Sequence, residues 1–311
     1  MRIGSLIKFY RTKRGLTQTS LANGICSVPH LSKIENNSKE ANVETIRLLL
    51  ERLKIDLQDV QANEKQIFDL IKDFLCHIHY LEEEKATEVF KTLEGYHELI
   101  VFTDHIYLYE LYKLRYYLLI NNRDAAEYQL KWLHAQKQNF SQYEKYLLLY
   151  MGALILMLRG RFEEADKQLT RIIHDQAELG SFTGELHYHL AVVKGHLEES
   201  SLAIIYGKQA LQFYSNQYNF KRILHTLMSL ALNYSRAKIF NEALNTYTHL
   251  LRSIELLNQQ HLLPKIYHNI GDLHLRMGDY LQALEYFQKS KAIIPANSDN
   301  YLLCLYNLAQ T

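Results

Sequence analysis

Six alanines recur through this chain at positions 86, 126, 165, 203, 243 and 283, separated by 38 to 40 residues. Around three of them the neighbouring residues recur as well. The stretches "GRFEEADKQLTRII", "IFNEALNTYTHLL" and "GDYLQALEYFQKSKAIIP" each place an aromatic three residues before the alanine and a bulky residue four after it. Ala86, Ala126 and Ala203 anchor weaker copies. A fixed period of this length means that one supersecondary unit is repeated. A small residue between large ones lets two antiparallel helices approach closely while the flanking side chains fill the gap. Three prolines and twelve glycines in 311 residues argue against a sandwich or barrel rich in tight turns. Long Leu-, Ala-, Glu-, Lys- and Tyr-rich runs favour helices joined by short loops, so the chain is expected to be all-α.

The pattern resembles the tetratricopeptide repeat. "NIGDLHLRMGDYLQALEYFQKSKAIIP" is the strongest copy, with Gly271, Gly278, Tyr280, Ala283, Phe287 and Pro295 in place. Copies before residue 140 are degenerate. The resemblance implies a right-handed α-solenoid over residues 67–311, with the first helix of each repeat lining an inner face. Counted from the alanines, inner positions hold His225, Ser229 and Leu232, then Lys265, Asn269 and Asp272, then Leu303, Asn307 and Gln310. Asn233, Arg236 and Arg276 lie nearby. Asparagine both donates to and accepts from an extended backbone, and lysine or arginine holds a carboxylate. His225, Asn233, Arg236, Lys265, Asn269, Asp272, Arg276 and Asn307 are therefore the candidate peptide-binding residues. The chain stops at Thr311 inside what reads as the first helix of another repeat, so that helix is a cap or the protein runs further.

The first 57 residues differ in character. Residues 1–55 hold ten Lys/Arg against four Glu, whereas the remainder is net acidic, which hides behind an overall charge of +1. A basic head on an acidic body suits a polyanionic partner. "IGSLIKFYRTKRG" puts Ile3, Leu6, Ile7 and Tyr10 on one helical face, with Gly15 placed to end it. "LTQTSLANG" reads as a short helix capped by Thr17 and stopped at Asn23-Gly24. Ser27 caps a third helix that carries Pro29 in its first turn, where a missing N–H costs nothing. "NVETIRLLLERLKI" is a fourth helix and "DLQDV" starts a fifth, giving a five-helix head over 1–57 and a linker helix region over 58–66.

"RGLTQTSLA…LSKIENN" resembles the Xre/Cro type of helix-turn-helix, and the short turn "NGICS" is similar to that of peptide-sensing regulators from Gram-positive bacteria. The resemblance implies that Gln18 holds a DNA phosphate. It maps Val28, Pro29 and Lys33 onto base edges, with Ser27 and His30 beside them. In such a role Lys33 would donate to guanine and Val28 would meet a thymine methyl. Asn36, Asn37, Ser38 and Lys39 suit phosphate contacts after the helix. Arg11 and Glu35 match a partly buried ion pair of this fold and are assigned to structure.

No Gly-rich phosphate loop, nucleotide fingerprint or nucleophile–base pair is present, so no cofactor is expected and the chain does not read as an enzyme. "HIH" (77–79) and "HYH" (187–189) place histidines two apart, which diverge on a helix, and no metal is expected. The tyrosine-rich "YLYELYKLRYYLL" has the spacing of inter-repeat packing. Cys26, Cys76 and Cys304 are odd in number and far apart, which fits a reducing compartment. With no signal-peptide core and no apolar run of about 18 residues, a cytoplasmic protein without membrane contact is expected.

The combination of head and repeats resembles the RNPP family, particularly its PlcR- and NprR-like members. That resemblance implies a quorum-sensing transcription factor controlled by a short, secreted and reimported peptide. The implied partners are a homodimer mate, a roughly palindromic double-stranded operator and the peptide, whose binding would reset the spacing of two recognition helices. Two alternatives stay open. Related repeat proteins sequester or dephosphorylate a response-regulator partner, and phage or plasmid communication receptors share the mechanism in another genetic setting.

Overall fold

The computed structural model describes residues 1–38, 41–175 and 180–294. Among them there is no strand; the regular structure is α-helical with three short 3-10 turns. The chain divides into two compact units, Met1–Leu148 and Leu149–Thr311.

The first unit opens with the head: α1 (Ile3–Lys13), α2 (Gln18–Ala22), α3 (Val28–Glu35) and α4 (Val43–Arg52). Their apolar faces converge on Ile7, Leu21, Ala22, Leu31, Ile34, Leu49, Leu50 and Leu53, all buried. The starts of α2, α3 and α4 are capped by side-chain oxygens, two of them as the sequence predicts. Thr17 accepts from the Ser20 N–H (3.0 Å), Ser27 from the His30 N–H (3.3 Å) and Asn42 from the Thr45 N–H (2.7 Å). Pro29 lies in the first turn of α3.

The fifth helix is not short. Asp56 caps α5 (Leu57–His79), which runs 23 residues without a break. Residues 58–66 therefore form the first turns of a helix that continues into the repeats. Its buried stripe Val60, Ile67, Ile71, Phe74 and Ile78 has one helical period throughout, which leaves no place for the chain to bend.

Next come α6 (Glu83–Glu94), the one-turn α7 (His97–Ile100), α8 (Ile106–Leu119) and α9 (Arg123–Gln136). Tyr109, Tyr112 and Tyr116 of the tyrosine-rich stretch are buried, and Tyr116 packs on Phe90 (4.8 Å) and Phe74 (5.4 Å). No sequence pattern marks the docking of α1 beside α7. Phe9 meets Phe102 at 5.3 Å, Lys13 pairs with Glu98 at 2.8 Å, and the Arg2 N–H donates to the Phe102 carbonyl at 2.6 Å. The head is thus held at two places within its unit, by α5 and by α1.

The second unit begins within α10 (Gln142–Leu158) and continues through α11 (Phe162–His174), α12 (Thr183–His196), α13 (Ser200–Asn216), α14 (Phe220–Arg236), α15 (Phe240–Leu256), α16 (Leu263–Met277) and α17 (Tyr280–Ile293). All six repeat alanines are at most 1% exposed. The bulky residues four later, Leu169, Tyr247 and Phe287, are equally buried, and Tyr247 shares a core with Ala231 of the preceding helix. The aromatics three before the alanine are less enclosed; Tyr280 is 57% exposed.

A second periodicity, invisible as a residue pattern, accompanies the alanines. Five residues before each stands a turn residue with positive φ: Leu81 (56°), Asn121 (55°), Gly160 (71°), Glu198 (63°), Lys238 (60°) and Gly278 (80°). This left-handed residue reverses the chain between paired helices. A side chain there costs on the order of 1–2 kcal/mol, which glycine avoids. Lys238 is exposed, so Lys238→Gly is expected to raise unfolding stability by about 1 kcal/mol, and Gly278→Ala to lower it similarly, since a Cβ at Gly278 would meet nothing within 4 Å. Urea denaturation of the full chain checks both; unchanged midpoints would remove turn strain as the cause.

Candidate functional site

In the head, one buried carboxylate fixes the geometry. Glu35, at 2% exposure, ends α3 and receives Arg11 Nε at 2.6 Å, Arg11 Nη2 at 3.1 Å and Gln18 Nε2 at 2.8 Å. Arg11 also donates to the Leu16 carbonyl (2.8 Å), so α1, α2 and α3 are pinned together. The bond from Glu35 holds the Arg11 guanidinium above its ordinary pKa. The expected Arg11–Glu35 pair is present.

The other predicted head residues separate by environment. Lys33, Pro29 and Ser27 are exposed on α3, and His30 is half-buried. Val28 is half-buried and packs in part against the head core. Gln18 spends one amide bond on Glu35. Asn37 takes a left-handed φ of 53° and donates through Nδ2 to Ser5 Oγ at 2.6 Å, tying the end of α3 to α1. Ser38 Oγ donates to the Lys33 carbonyl at 3.1 Å. Lys39 lies outside the described residues.

In the second unit, the helices α12, α14 and α16 stack equivalent positions 40 residues apart. Glu185, His225 and Lys265 form one row, His189, Ser229 and Asn269 the next, and His196, Arg236 and Arg276 another. Two recesses open on these rows. The first, about 150 Å³, is walled by Tyr188, Val192 and His196 of α12, by Lys265 and Asn269 of α16, and between them by α14. From α14 come His225, Met228, Ser229, Leu232, Asn233 and Arg236. The second, about 480 Å³, is polar and shares His196 and Arg236 with it, adding Gly195, Glu198, Ser200 and Arg276.

Asn233 is 2% exposed; its Nδ2 donates to the Ser229 carbonyl (2.8 Å), and its Oδ1 has no hydrogen-bond partner among the described residues. A buried acceptor in a cavity wall suits an incoming N–H. Arg236 Nη1 donates to the Gly195 carbonyl at 2.5 Å. Gly195 is what permits this approach, because a Cβ there would lie 2.6 Å from Asn233 Oδ1 and 3.2 Å from Arg236 Nη1. Behind the recess Arg222 Nη2 meets Glu185 Oε1 at 2.5 Å, both buried, and the Tyr150 hydroxyl donates to Glu185 Oε2 at 3.0 Å. This buried pair is hydrogen-bonded on both sides, as a charge taken out of water must be.

Five of the predicted peptide-binding residues, His225, Asn233, Arg236, Lys265 and Asn269, thus line one recess, and Arg276 lines its neighbour. Asp272 is engaged by Arg276 (Nε to Oδ2, 2.7 Å) and lines neither. Asn307 lies outside the described residues. The α12 wall, Tyr188, Val192 and His196, escaped the sequence reading. The copy anchored on Ala203 is one of the weaker ones, with Ser200 where the three strong copies carry an aromatic. Subtracting 40 from Met228, Leu232 and Arg236 would have found it. Of the paired histidines, His77 meets Glu82 at 2.7 Å, His189 meets the Tyr150 hydroxyl at 2.9 Å, and His187 stacks on Tyr206.

Comparison with known proteins agrees with this division. A helix-turn-helix family model matches residues 7–60, and a tetratricopeptide-repeat model matches residues 262–311. The transcriptional activator NprA of Geobacillus stearothermophilus is 25% identical over 273 residues, which cover 87% of this chain and 67% of NprA. The chain is homologous to this activator over most of its own length. The regulatory protein RapD of Bacillus subtilis is also 25% identical, over 64% of this chain and 58% of RapD. The crystal structure of NprR in complex with its cognate peptide NprX has the same fold, with a TM-score of 0.69 at 24% identity over 79% of this chain and 72% of that one. This homologue thus spans about two thirds of NprA and little more than half of RapD. No helix among its described residues is long and apolar enough to cross a membrane.

Burial, reinforced by the charges of Arg222, Lys265, His261 and Lys221, pushes the His225 pKa from 6.5 down to about 4. The unfolded chain therefore takes up this proton before the folded one does. Stability is expected to fall as the pH drops from about 6.5 toward 4, by up to about 3 kcal/mol from this residue. His225→Gln should lessen the loss of stability between pH 7 and pH 4.5 in denaturant titrations. An equal loss in the variant would show that His225 is not held neutral by its surroundings.

Proposed function

We propose that this protein is a DNA-binding transcriptional regulator of the cytoplasm whose repeat unit receives a short signalling peptide. The observation that carries the reading is the joining, in one chain, of a helix-turn-helix head with exposed Lys33 and a cavity whose buried Asn233 acceptor lacks a partner among the described residues. The head docks as a homodimer on a roughly palindromic operator. The N-terminal end of α3 enters the major groove with its dipole toward phosphate, Lys33 donates to a base edge, and Ser27, Pro29 and His30 flank it. Gln18, Asn37 and Lys39 meet the backbone, with Val28 shaping the helix from below. No covalent chemistry is assigned to the chain.

The peptide lies along α12, α14 and α16. Asn233 and Asn269 hold its backbone, and His225, Arg236, Lys265 and Arg276 surround its polar groups, with Asp272 setting Arg276; Asn307 is assigned to the peptide from its place in the repeat sequence alone. The NprR–NprX complex, on the same fold, supports a peptide as the ligand class. Peptide and operator are coupled because the peptide has different affinity for two shapes of the repeats.

The similarity to RapD, and to response regulator aspartate phosphatase A of Bacillus subtilis, favours a second reading in which the repeats bind a response regulator. Gel shifts on DNA upstream of the protein's own gene separate the two. The probe peptide is one encoded by a short neighbouring frame that follows a secretion signal. A shift that changes with peptide is expected; no DNA binding in any condition, with retention of a phosphorylated response regulator, would replace the first reading by the second. Lys33→Ala is expected to weaken operator binding roughly 10- to 100-fold and leave peptide affinity unchanged. Asn269→Ala should weaken the peptide by about tenfold and leave operator binding by the peptide-free protein intact. Identical effects of the two changes would contradict the division of labour.

A further inference from the structure

We infer that the ligand of the repeat unit is an anion, and that Arg236 and Arg276 seat its carboxylate while an adjoining apolar side chain rests against Val192, Met228 and Leu232. The inference rests on the peptide reading above and specifies what such a peptide must carry.

The first support is charge without compensation. Arg276 has a carboxylate partner in Asp272, but Arg236 is bonded to a neutral carbonyl, that of Gly195, and meets no carboxylate at ion-pair distance among the described residues. Burial first, and then the neighbouring Arg276, pull the Arg236 guanidinium below its ordinary pKa, against the smaller opposing pull of Asp272, Tyr247 and Glu198. Lys265, exposed at the adjoining rim, likewise forms no ion pair among the described residues. His196 is stacked on Phe162 at 4.0 Å and held low by burial, Arg236 and Lys265, so it adds a neutral donor or acceptor rather than a third charge. Glu198 is the acidic side chain on the wall of the larger recess, opposite two guanidinium groups. A half-buried Arg236 with no carboxylate of its own among the described residues, beside the exposed Arg276, gains from a ligand carboxylate, which accepts from arginine in a forked geometry.

The second support is the placement of the neighbouring groups. The smaller recess, apolar along Tyr188, Val192, Met228 and Leu232, shares the Arg236 wall with the polar one. Asn233 Oδ1, on the wall of the smaller recess and close to Gly195 of the larger, has no hydrogen-bond partner among the described residues. An amide N–H, an apolar side chain and a carboxylate carried close together satisfy all three features. A C-terminal residue has this arrangement, and so does an acidic side chain beside an apolar one.

Three synthetic heptapeptide libraries, applied to the immobilised full chain and read by mass spectrometry, provide the test. One lacks Asp and Glu and ends in a free acid, the second is the same but C-terminally amidated, and the third is amidated with Asp and Glu allowed. Retention of the free-acid library at least tenfold above the acid-free amidated one is expected, and would assign the carboxylate to the peptide terminus. Retention of the third library in its place would support the seat and assign it to an acidic side chain. The advantage should disappear in Arg236→Gln and in Arg276→Gln; the exposed Arg276 supplies the variant least prone to misfolding, checked by thermal unfolding. Equal retention of all three libraries would overturn the carboxylate seat while leaving a peptide site intact. Retention of none would overturn both.

Discussion

The close approach of paired helices at a buried alanine is the constraint on which the repeats depend. Ala86, Ala126, Ala165, Ala203, Ala243 and Ala283 are almost wholly enclosed, and a larger side chain at any of them would separate two helices. The period of 38 to 40 residues that places them also places the left-handed turn five residues earlier. It therefore fixes which residues of α12, α14 and α16 align in rows. The row His196, Arg236 and Arg276 is a consequence of that spacing, as is the row His189, Ser229 and Asn269. The chemistry of the recess is written on a lattice that the alanines set.

Much of this lattice was legible because its determinants are local. Alanine spacing, the caps Thr17 and Ser27, and the tolerance of a first-turn Pro29 all act within a few residues of chain. The Arg11–Glu35 pair was legible through family resemblance. What escaped depends on contacts distant in sequence. The docking of α1 against Phe102 and Glu98 has no periodic signature. The continuity of α5 through residues 58–66 hid behind the resemblance, which ends near residue 57. The α12 wall was missed because the Ala203 copy is weak, with Ser200 where Phe162, Phe240 and Tyr280 stand in the strong copies. The left-handed turns escaped because only Gly160 and Gly278 advertise them, while Leu81, Glu198 and Lys238 do not.

Two buried carboxylates organise the two candidate sites in the same way. Glu35 gathers α1, α2 and α3 through Arg11 and Gln18. Glu185 gathers α10, α12 and α14 through Tyr150 and Arg222, directly behind the recess that His225 lines. Each is a polar network whose removal in part would leave an uncompensated charge, so each admits few alternative arrangements. In the head this rigidity presents α3 as a unit. Because α5 and α1 both attach the head to the first repeats, a displacement of those helices would carry α3 with it.

The central claim is that peptide binding in the repeats and operator binding by the head share one free-energy coupling. Such a coupling is reciprocal: the factor by which peptide changes operator affinity must equal the factor by which operator changes peptide affinity. Calorimetric titration of the full chain with peptide, in the absence and then the presence of saturating operator DNA, measures the second factor directly. Peptide affinity is expected to shift by roughly 5- to 150-fold, matching the shift in operator affinity. Peptide affinity that is the same with and without bound operator would contradict it.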